Sequence, residues 1–469
     1  MSGHDPALMS AEDLLAHYAR GALSPVEALQ AITERIARHN PKVNAFAVLN
    51  PRALLAAGES AQRWRAGRPI GPLDGVPVTV KDLVDLAGFP TRRGSRLTPT
   101  DPVADDAPAV LGLKAAGAVI LGKTTTTEFG WKSPGDCPLH GITRNPWNTA
   151  HTPGGSSSGA GAAAAACFGP LHLGTDAGGS IRIPAAWCGV VGLKPTFGRV
   201  PQWPVGAFAA VAVAGPMART VRDAALMLSA LARFDPRDPF CLPDDPRDWR
   251  DGIEAGVQGL RVAVLRRPGF DAPVDRDGIA AVERAAAILA DAGAEIAEAD
   301  PGLPDTRAVF GRVWGVALAA LVAGVPEERH ALLDPGLLRA AAGEAGMSAV
   351  EFLGAQALQA QAAHAMGRFH LRHDLVLCPA VPGPPPRADA PTTDPARALW
   401  QEWAPWTFAF NLTRQPAIAV PVGPGEGGSG DGGLPRGVQL AAARYRDDLV
   451  LRAARVLERA APLPPAPLG

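Results

Sequence analysis

Two serines on glycine turns and one distant lysine are the parts of a serine nucleophile that works without histidine. Ser180 lies in Gly174-Thr175-Asp176-Ala177-Gly178-Gly179-Ser180-Ile181-Arg182, 24 residues after Ser156, which lies in Gly154-Gly155-Ser156-Ser157-Ser158-Gly159. Lys81 sits far upstream in Val80-Lys81-Asp82. A neutral lysine takes a proton, one serine passes it on, and the other attacks a carbonyl.

The neighbours of each group favour this chemistry. Ser180 follows two glycines and opens a short helix ending near Gly189. The backbone N–H groups of Ala177, Gly178, Gly179 and Ser180 are therefore expected to converge on an oxyanion. An isolated Gly-Gly-Ser is ordinarily a helix N-cap. Here Asp176 and Arg182 flank the turn and can clamp it by an ion pair. Ser156 heads a turn that runs into the apolar stretch 160–167, where a flexible linker would stay polar. Lys81 ends the apolar strand 76–80. A lone lysine there is ordinarily a surface residue, but a poorly solvated amine has its pKa lowered from about 10.4 toward neutrality.

The surrounding pattern supplies a scaffold. Ser24-Pro25-Val26-Glu27 is a capping box with proline at the first helical position, and Val26, Leu29, Ile32 and Ile36 follow at helical spacing. A capped helix over 107–116 stops at Gly117 and feeds a strand over 118–121. Further strands are predicted over 261–265, 374–378 and 417–422, and helices over 279–289 and 447–459. Strands alternating with helices predict an α/β class, with one sheet covered on both faces. The alanine-rich region 234–366 carries few motifs and is expected to shape substrate choice; the Gly-rich stretch 423–433 reads as a mobile surface loop.

Composition narrows the partners. The 469 residues carry 45 Lys plus Arg against 46 Asp plus Glu, which gives no electrostatic reason for nucleic acid or anionic membrane. No basic leader precedes an apolar run at the N-terminus, and no run approaches the roughly 20 apolar residues of a membrane span. Cys137, Cys167, Cys188, Cys241 and Cys378 are odd in number and widely spaced, which reads as reduced thiols in the cytoplasm rather than a zinc site.

In this order the motifs resemble the amidase signature family. The matching residues include Asp74-Gly75-Val76-Pro77-Val78-Thr79-Val80-Lys81-Asp82, Arg144-Asn145-Pro146-Trp147, both serine turns, Gly189-Val190-Val191-Gly192-Leu193-Lys194-Pro195-Thr196, Gly215-Pro216-Met217-Ala218-Arg219-Thr220 and Phe410-Asn411-Leu412-Thr413. The resemblance spans nearly the whole chain and is densest over 71–225. It implies one domain over 1–469, an α/β/α sandwich around a large mixed, mostly parallel sheet. By the same resemblance Ser180 is the nucleophile, Ser156 the bridging serine after a cis Gly155–Ser156 bond, and Lys81 the base. Gly130 and Trp131 are placed at the acyl-binding wall with Ile181 nearby. The implied activity is hydrolysis of a small amide, with aryl esters, anilides or carbamates (urethanes) open to the same chemistry and no metal or organic cofactor required. A homodimer is admitted but not specified.

Two features depart from the family pattern: Ser158 stands where glycine is usual, and 209–214 is wholly apolar. Three rival readings remain. Gly155-Ser156-Ser157-Ser158-Gly159 also fits a nucleophile elbow with Ser157 attacking, though no strand leads into it and His370 or His373 would have to serve as base. The chain can instead be one component of an amidotransferase that passes ammonia to a partner, or a non-catalytic scaffold, against which all three reactive positions are filled. His151 and His172 are assigned structural roles. Trp314, Trp403 and Trp406 are additional pocket candidates.

Overall fold

Alternation along the strands decides which side chains meet. Val78 and Val80 point into one buried layer with Leu171, Leu173, Leu193, Ile418 and Val420. Thr79 and Lys81 therefore face the opposite side, because successive strand residues alternate. The structure, a computed structural model, describes residues 5–390, 404–425 and 433–468.

Thirteen strands occur among the described residues: β1 Phe46–Leu49, β2 Pro77–Lys81, β3 Val119–Thr124, β4 Asp136–Cys137, β5 Gly141–Ile142, β6 Leu171–Asp176, β7 Val191–Lys194, β8 Val213–Ala218, β9 Arg261–Val264, β10 Glu295–Glu298, β11 Leu375–Pro379, β12 Ala417–Pro424 and β13 Pro435–Ala442. Eleven form one sheet in the order β1-β3-β2-β6-β8-β7-β12-β13-β11-β9-β10, and β4 pairs with β5 alone. The predicted strands at 76–80, 118–121, 261–265, 374–378 and 417–422 are present as β2, β3, β9, β11 and β12.

Helices Pro108–Ala115, Val221–Leu231, Arg276–Asp291 and Asp447–Ala460 pack on the Val78 face. Helices Ser158–Ala165, Arg182–Cys188 and Thr306–Ala323 contribute to a separate core on the other. The α/β class and the large mixed sheet are as expected; "mostly parallel" needs correction. Parallel pairing holds for β3-β2-β6 and for β11-β9-β10. The centre, from β6 through β8, β7, β12 and β13 to β11, is antiparallel throughout. Helix Thr306–Ala323 is long and apolar enough by composition to cross a membrane. Its Val309, Phe310, Trp314 and Leu318 are packed inside the protein.

The helix that carries Ser158 is made almost wholly of alanine and glycine, and every residue of it is buried. Its closeness to neighbouring backbone explains this: a Cβ on Gly159 would overlap the Ala45 carbonyl oxygen and sit 2.5 Å from the Thr125 amide. Ser158 is tolerated because Gly135 stands opposite, where any Cβ would lie 3.0 Å from that of Ser158. Gly58, inside helix Ala53–Arg65, has open space around it. We therefore expect Gly159→Ala to destabilise the protein by about 3 kcal/mol through overpacking. Gly58→Ala should stabilise it by about 0.5–1 kcal/mol, through helix propensity and a less flexible unfolded chain. Urea unfolding midpoints check both.

Candidate active site

Lys81 ends β2 with no exposure, and its amine is ringed by hydroxyls. Nζ lies 2.8 Å from Ser156 Oγ, 2.9 Å from Ser157 Oγ and 2.9 Å from Thr175 Oγ1. Burial drives its pKa well below the usual lysine value, and the charge on Asp176 offsets this only in part. Three other lysines are buried, but their surroundings differ. Lys123 pairs with Asp82 at 2.8 Å, and Lys132 sits between Asp136 and Asp334 at 2.7 Å each. Lys194 donates to the Pro195 carbonyl. Among them Lys81 alone joins an uncharged tendency to a serine hydroxyl partner, the combination a proton relay needs.

The two serine turns are stitched together: the Ser157 N–H donates to the Ser180 carbonyl at 3.1 Å. The Gly155–Ser156 peptide is cis. Ser156 and Ser180 open onto the same cavity. Their hydroxyls are not hydrogen-bonded to each other here, so the structure closes the Lys81–Ser156 link and juxtaposes the other; such contacts often tighten only with substrate bound.

The turn before Ser180 is held by a buried ion pair. Arg182 meets Asp176 through Nε and Nη2, both at 2.9 Å. Its remaining N–H groups reach Thr407 O, Asn411 Oδ1 and Gln439 Oε1, so all five are used. Burial alone would raise the Asp176 pKa, but the Arg182 charge and hydrogen bonds bring it down to about 2. Asp176 Oδ1 also accepts the Gly179 N–H at 2.7 Å, while Thr407 donates to the Gly178 carbonyl at 2.5 Å. The peptide between Gly178 and Gly179 is thus fixed at both ends. Gly179 needs its φ of +135°, and any Cβ there would overlap Thr407 Oγ1. The expected four-amide oxyanion hole is corrected accordingly: the Gly179 N–H is already engaged, and those of Ala177, Gly178 and Ser180 remain available.

The cavity above these groups, about 160 Å³, corrects the expected acyl wall. Gly130 lines it as expected, but Trp131 and Ile181 do not. Phe129 and Gly130 both adopt positive φ, 49° and 76°, and reverse the chain. Phe129 therefore faces the cavity, while the buried Trp131 ring packs against Gly336. Ile181 lies beneath the turn, within 3.1 Å of where Cβ atoms on Gly174, Gly192 and Gly215 would be. Trp314 lines the cavity, stacked on Phe208 with centroids 4.0 Å apart, and Trp203 joins them. Trp406 is core, donating to Pro273, and Trp403 lies outside the described residues, as does most of the Gly-rich loop 423–433. The apolar run 209–214 acquires a role as cavity wall, through Ala209, Ala212 and Ala214.

Ser157 is fully buried and tied, donating to the Thr175 carbonyl and accepting the Thr175 N–H. His370 contacts His373 and Gln415, and none of these lines the cavity. The Ser157 elbow thus lacks both exposure and the histidine partner it would require. His172 bonds Thr79 across β2 and β6 at 2.9 Å, and burial lowers its pKa to about 3, in keeping with a structural role. The sequence reasoning missed Thr175, Thr407, Asn411 and Gln439. Of these, Thr175 and Asn411 stood inside quoted motifs, and a polar residue within a motif was the available signal.

The chain is similar to known proteins over nearly its whole length. The family model described as Amidase matches residues 27–451. An acylamidase of Rhodococcus erythropolis is 35% identical, covering 97% of this chain and 96% of its own. A glutamyl-tRNA(Gln) amidotransferase subunit from Roseiflexus castenholzii is 34% identical, covering 94% and 93%. The crystal structure of a bacterial aryl acylamidase superposes with a TM-score of 0.88 at 28% identity, covering 97% of this chain and 96% of that one.

Asp176→Asn would leave the buried Arg182 guanidinium without a counter-charge. We expect a loss of roughly 3–5 kcal/mol in urea unfolding. Because the folded pKa of about 2 lies below the usual 3.8, the Asp176 contribution is complete above that value and lost as pH falls toward 2. Wild-type stability should fall across that window with a slope component that the Asn variant lacks.

Proposed function

The chain belongs to the amidase signature family of amide-hydrolysing enzymes, and from that premise we propose that it cleaves a carboxylic amide through an acyl-enzyme on Ser180. The observation that carries this is the buried Lys81 amine, 2.8 Å from the Ser156 hydroxyl, beside the cavity that Ser156 shares with Ser180. Neutral Lys81 takes the Ser180 proton through Ser156 as the Ser180 oxygen bonds to the acyl carbon. The Ala177, Gly178 and Ser180 amides hold the oxyanion. Collapse breaks the C–N bond, and the proton returns through Ser156 to the leaving nitrogen. Water then repeats the sequence on the ester.

The aromatic and alanine-lined cavity supports an apolar acyl or aryl substrate, with anilides, aryl esters and carbamates as further candidates. Residues 1–469 are proposed to act as one unit, because the Asp176–Arg182 pair draws on Thr407, Asn411 and Gln439 from the far end of the chain. The five described cysteines are free, which supports a reducing compartment. Likeness to glutamyl-tRNA(Gln) amidotransferase components favours a second reading, in which the same chemistry delivers ammonia to a partner.

We expect Ser180→Ala and Lys81→Met to lower kcat/KM on anilides by at least about a thousandfold. Ser157→Ala should retain far more activity, and a fluorophosphonate should add mass to the Ser180 peptide. An active Ser180→Ala beside an inactive Ser157→Ala would overturn the assignment. In wild type kcat/KM should rise with pH through the lowered Lys81 pKa and then level, since the protonated amine cannot accept. Hydrolysis of anilides by the purified chain alone separates the hydrolase from the partner-dependent reading.

A further inference from the structure

We propose that Arg93 is a carboxylate-binding residue of the cavity, so that the preferred amide carries an anionic group; this rests on the reading of Ser180 as nucleophile. Arg93 is half-buried and is the one cationic side chain among the described residues that line the cavity with Ser156 and Ser180. Several other half-buried or buried arginines are matched to acids, as Arg63 is to Asp74, Arg199 to Asp245 and Arg222 to Glu12, while Arg35 and Arg219 are met by backbone carbonyls. The Arg93 guanidinium has no hydrogen bond, ion pair or ring contact among the described residues.

Its backbone is held deliberately. Arg93 has φ 51°, a left-handed conformation uncommon outside glycine. Its N–H donates to the Asp82 carbonyl at 3.0 Å, and its carbonyl accepts the Phe129 N–H at 2.8 Å. The residue is thus pinned between the strand end that carries Lys81 and the turn that carries Gly130. The cavity's carboxylate, Asp238, forms no ion pair with Arg93; its oxygens accept the Gln202 N–H at 2.9 Å and the Phe240 N–H at 2.8 Å.

Leu83, Val84, Ala107 and Ala109 line the same cavity, and their apolar surroundings strengthen any ion pair formed there. A planar guanidinium with free N–H groups matches a carboxylate through two parallel hydrogen bonds.

The test compares substrates that differ in one group. On the acyl side these are N-phenylsuccinamic acid and its carboxamide; on the amine side, 4-acetamidobenzoate and 4-acetamidobenzamide. Amine release is followed with wild type, Arg93→Leu and Arg93→Lys. In wild type at least one acid should exceed its carboxamide in kcat/KM by about tenfold or more, the worth of a charge-assisted contact. That ratio should collapse toward one in Arg93→Leu, recover partly in Arg93→Lys, and shrink in high salt. An unchanged ratio in Arg93→Leu, or no preference for either acid in wild type, overturns the proposal.

If Arg93→Leu does not fold, Arg93→Gln carries the same comparison. Ser180→Ala is run beside them: retained hydrolysis there sinks the nucleophile reading, while the ratio still decides Arg93. If no anilide is turned over, calorimetric titration with N-phenylsuccinamic acid decides. Binding about tenfold weaker in Arg93→Gln than in wild type upholds the proposal; equal binding, or none to either, overturns it.

Discussion

An amine buried at a strand end with no carboxylate in contact is the constraint around which the site is organised. Desolvation penalises the ammonium, so the fold favours a neutral Lys81 that hydroxyls can satisfy. Three hydroxyls do so, from Ser156, Ser157 and Thr175. A carboxylate within reach would reverse this by forming an ion pair, as Asp82 does for Lys123. Asp176, the residue after Thr175, is the nearby threat, and it already raises the Lys81 pKa in part. Arg182 holds its carboxylate, with both oxygens engaged. The buried ion pair therefore has two consequences: it fixes the turn that presents Ser180, and it keeps Asp176 from charging the amine.

Backbone geometry extends the same logic. The peptide between Gly178 and Gly179 is anchored by Thr407 on its carbonyl and by Asp176 on its N–H. The amides on either side are left to point elsewhere. Side chains from residues 407–439 thus set the orientation of a turn more than 200 residues earlier. The antiparallel centre of the sheet makes this possible, because β12 lies beside β7 with β13 next to it, close to the strands that flank the site.

Much of this was legible in the sequence, for a physical reason. Lys81, Ser156, Ser180 and the Asp176–Arg182 clamp are local: each is a residue type at a strand end or a glycine turn, and type plus turn chemistry predicts environment. Capping boxes and helical spacing were equally local, and Ser24-Pro25-Val26-Glu27 opens helix Pro25–Val43 as expected. The direction of a side chain after an unusual turn was not legible. Trp131 was placed at the wall by the family resemblance, and nothing in Glu128-Phe129-Gly130-Trp131 announces that Phe129, an aromatic residue, takes a positive φ. Nor does a strand's sequence reveal which neighbour it joins across a long connection, so the antiparallel centre was missed. The Gly179 amide was misassigned because its partner, Asp176, was credited with one contact when a carboxylate can accept several.

The two departures from the family pattern lie on different sides of this divide. Ser158 is a packing matter, accommodated because Gly135 opposite it carries no Cβ. The apolar run 209–214 forms cavity wall beside Phe208 and Trp314. The site accordingly has two halves. One is polar and fixed by ion pairs and main-chain hydrogen bonds, where moving any group would recharge Lys81 or turn the amides away. The other is built from residues around 197–212 and from helix Thr306–Ala323, and many alternative apolar side chains would fill the same space there. Chemistry is readable from sequence because the first half tolerates few solutions. Substrate choice is not, because the second half tolerates many, and within that permissive wall an unpaired charge such as Arg93 carries more information than the aromatic rings around it.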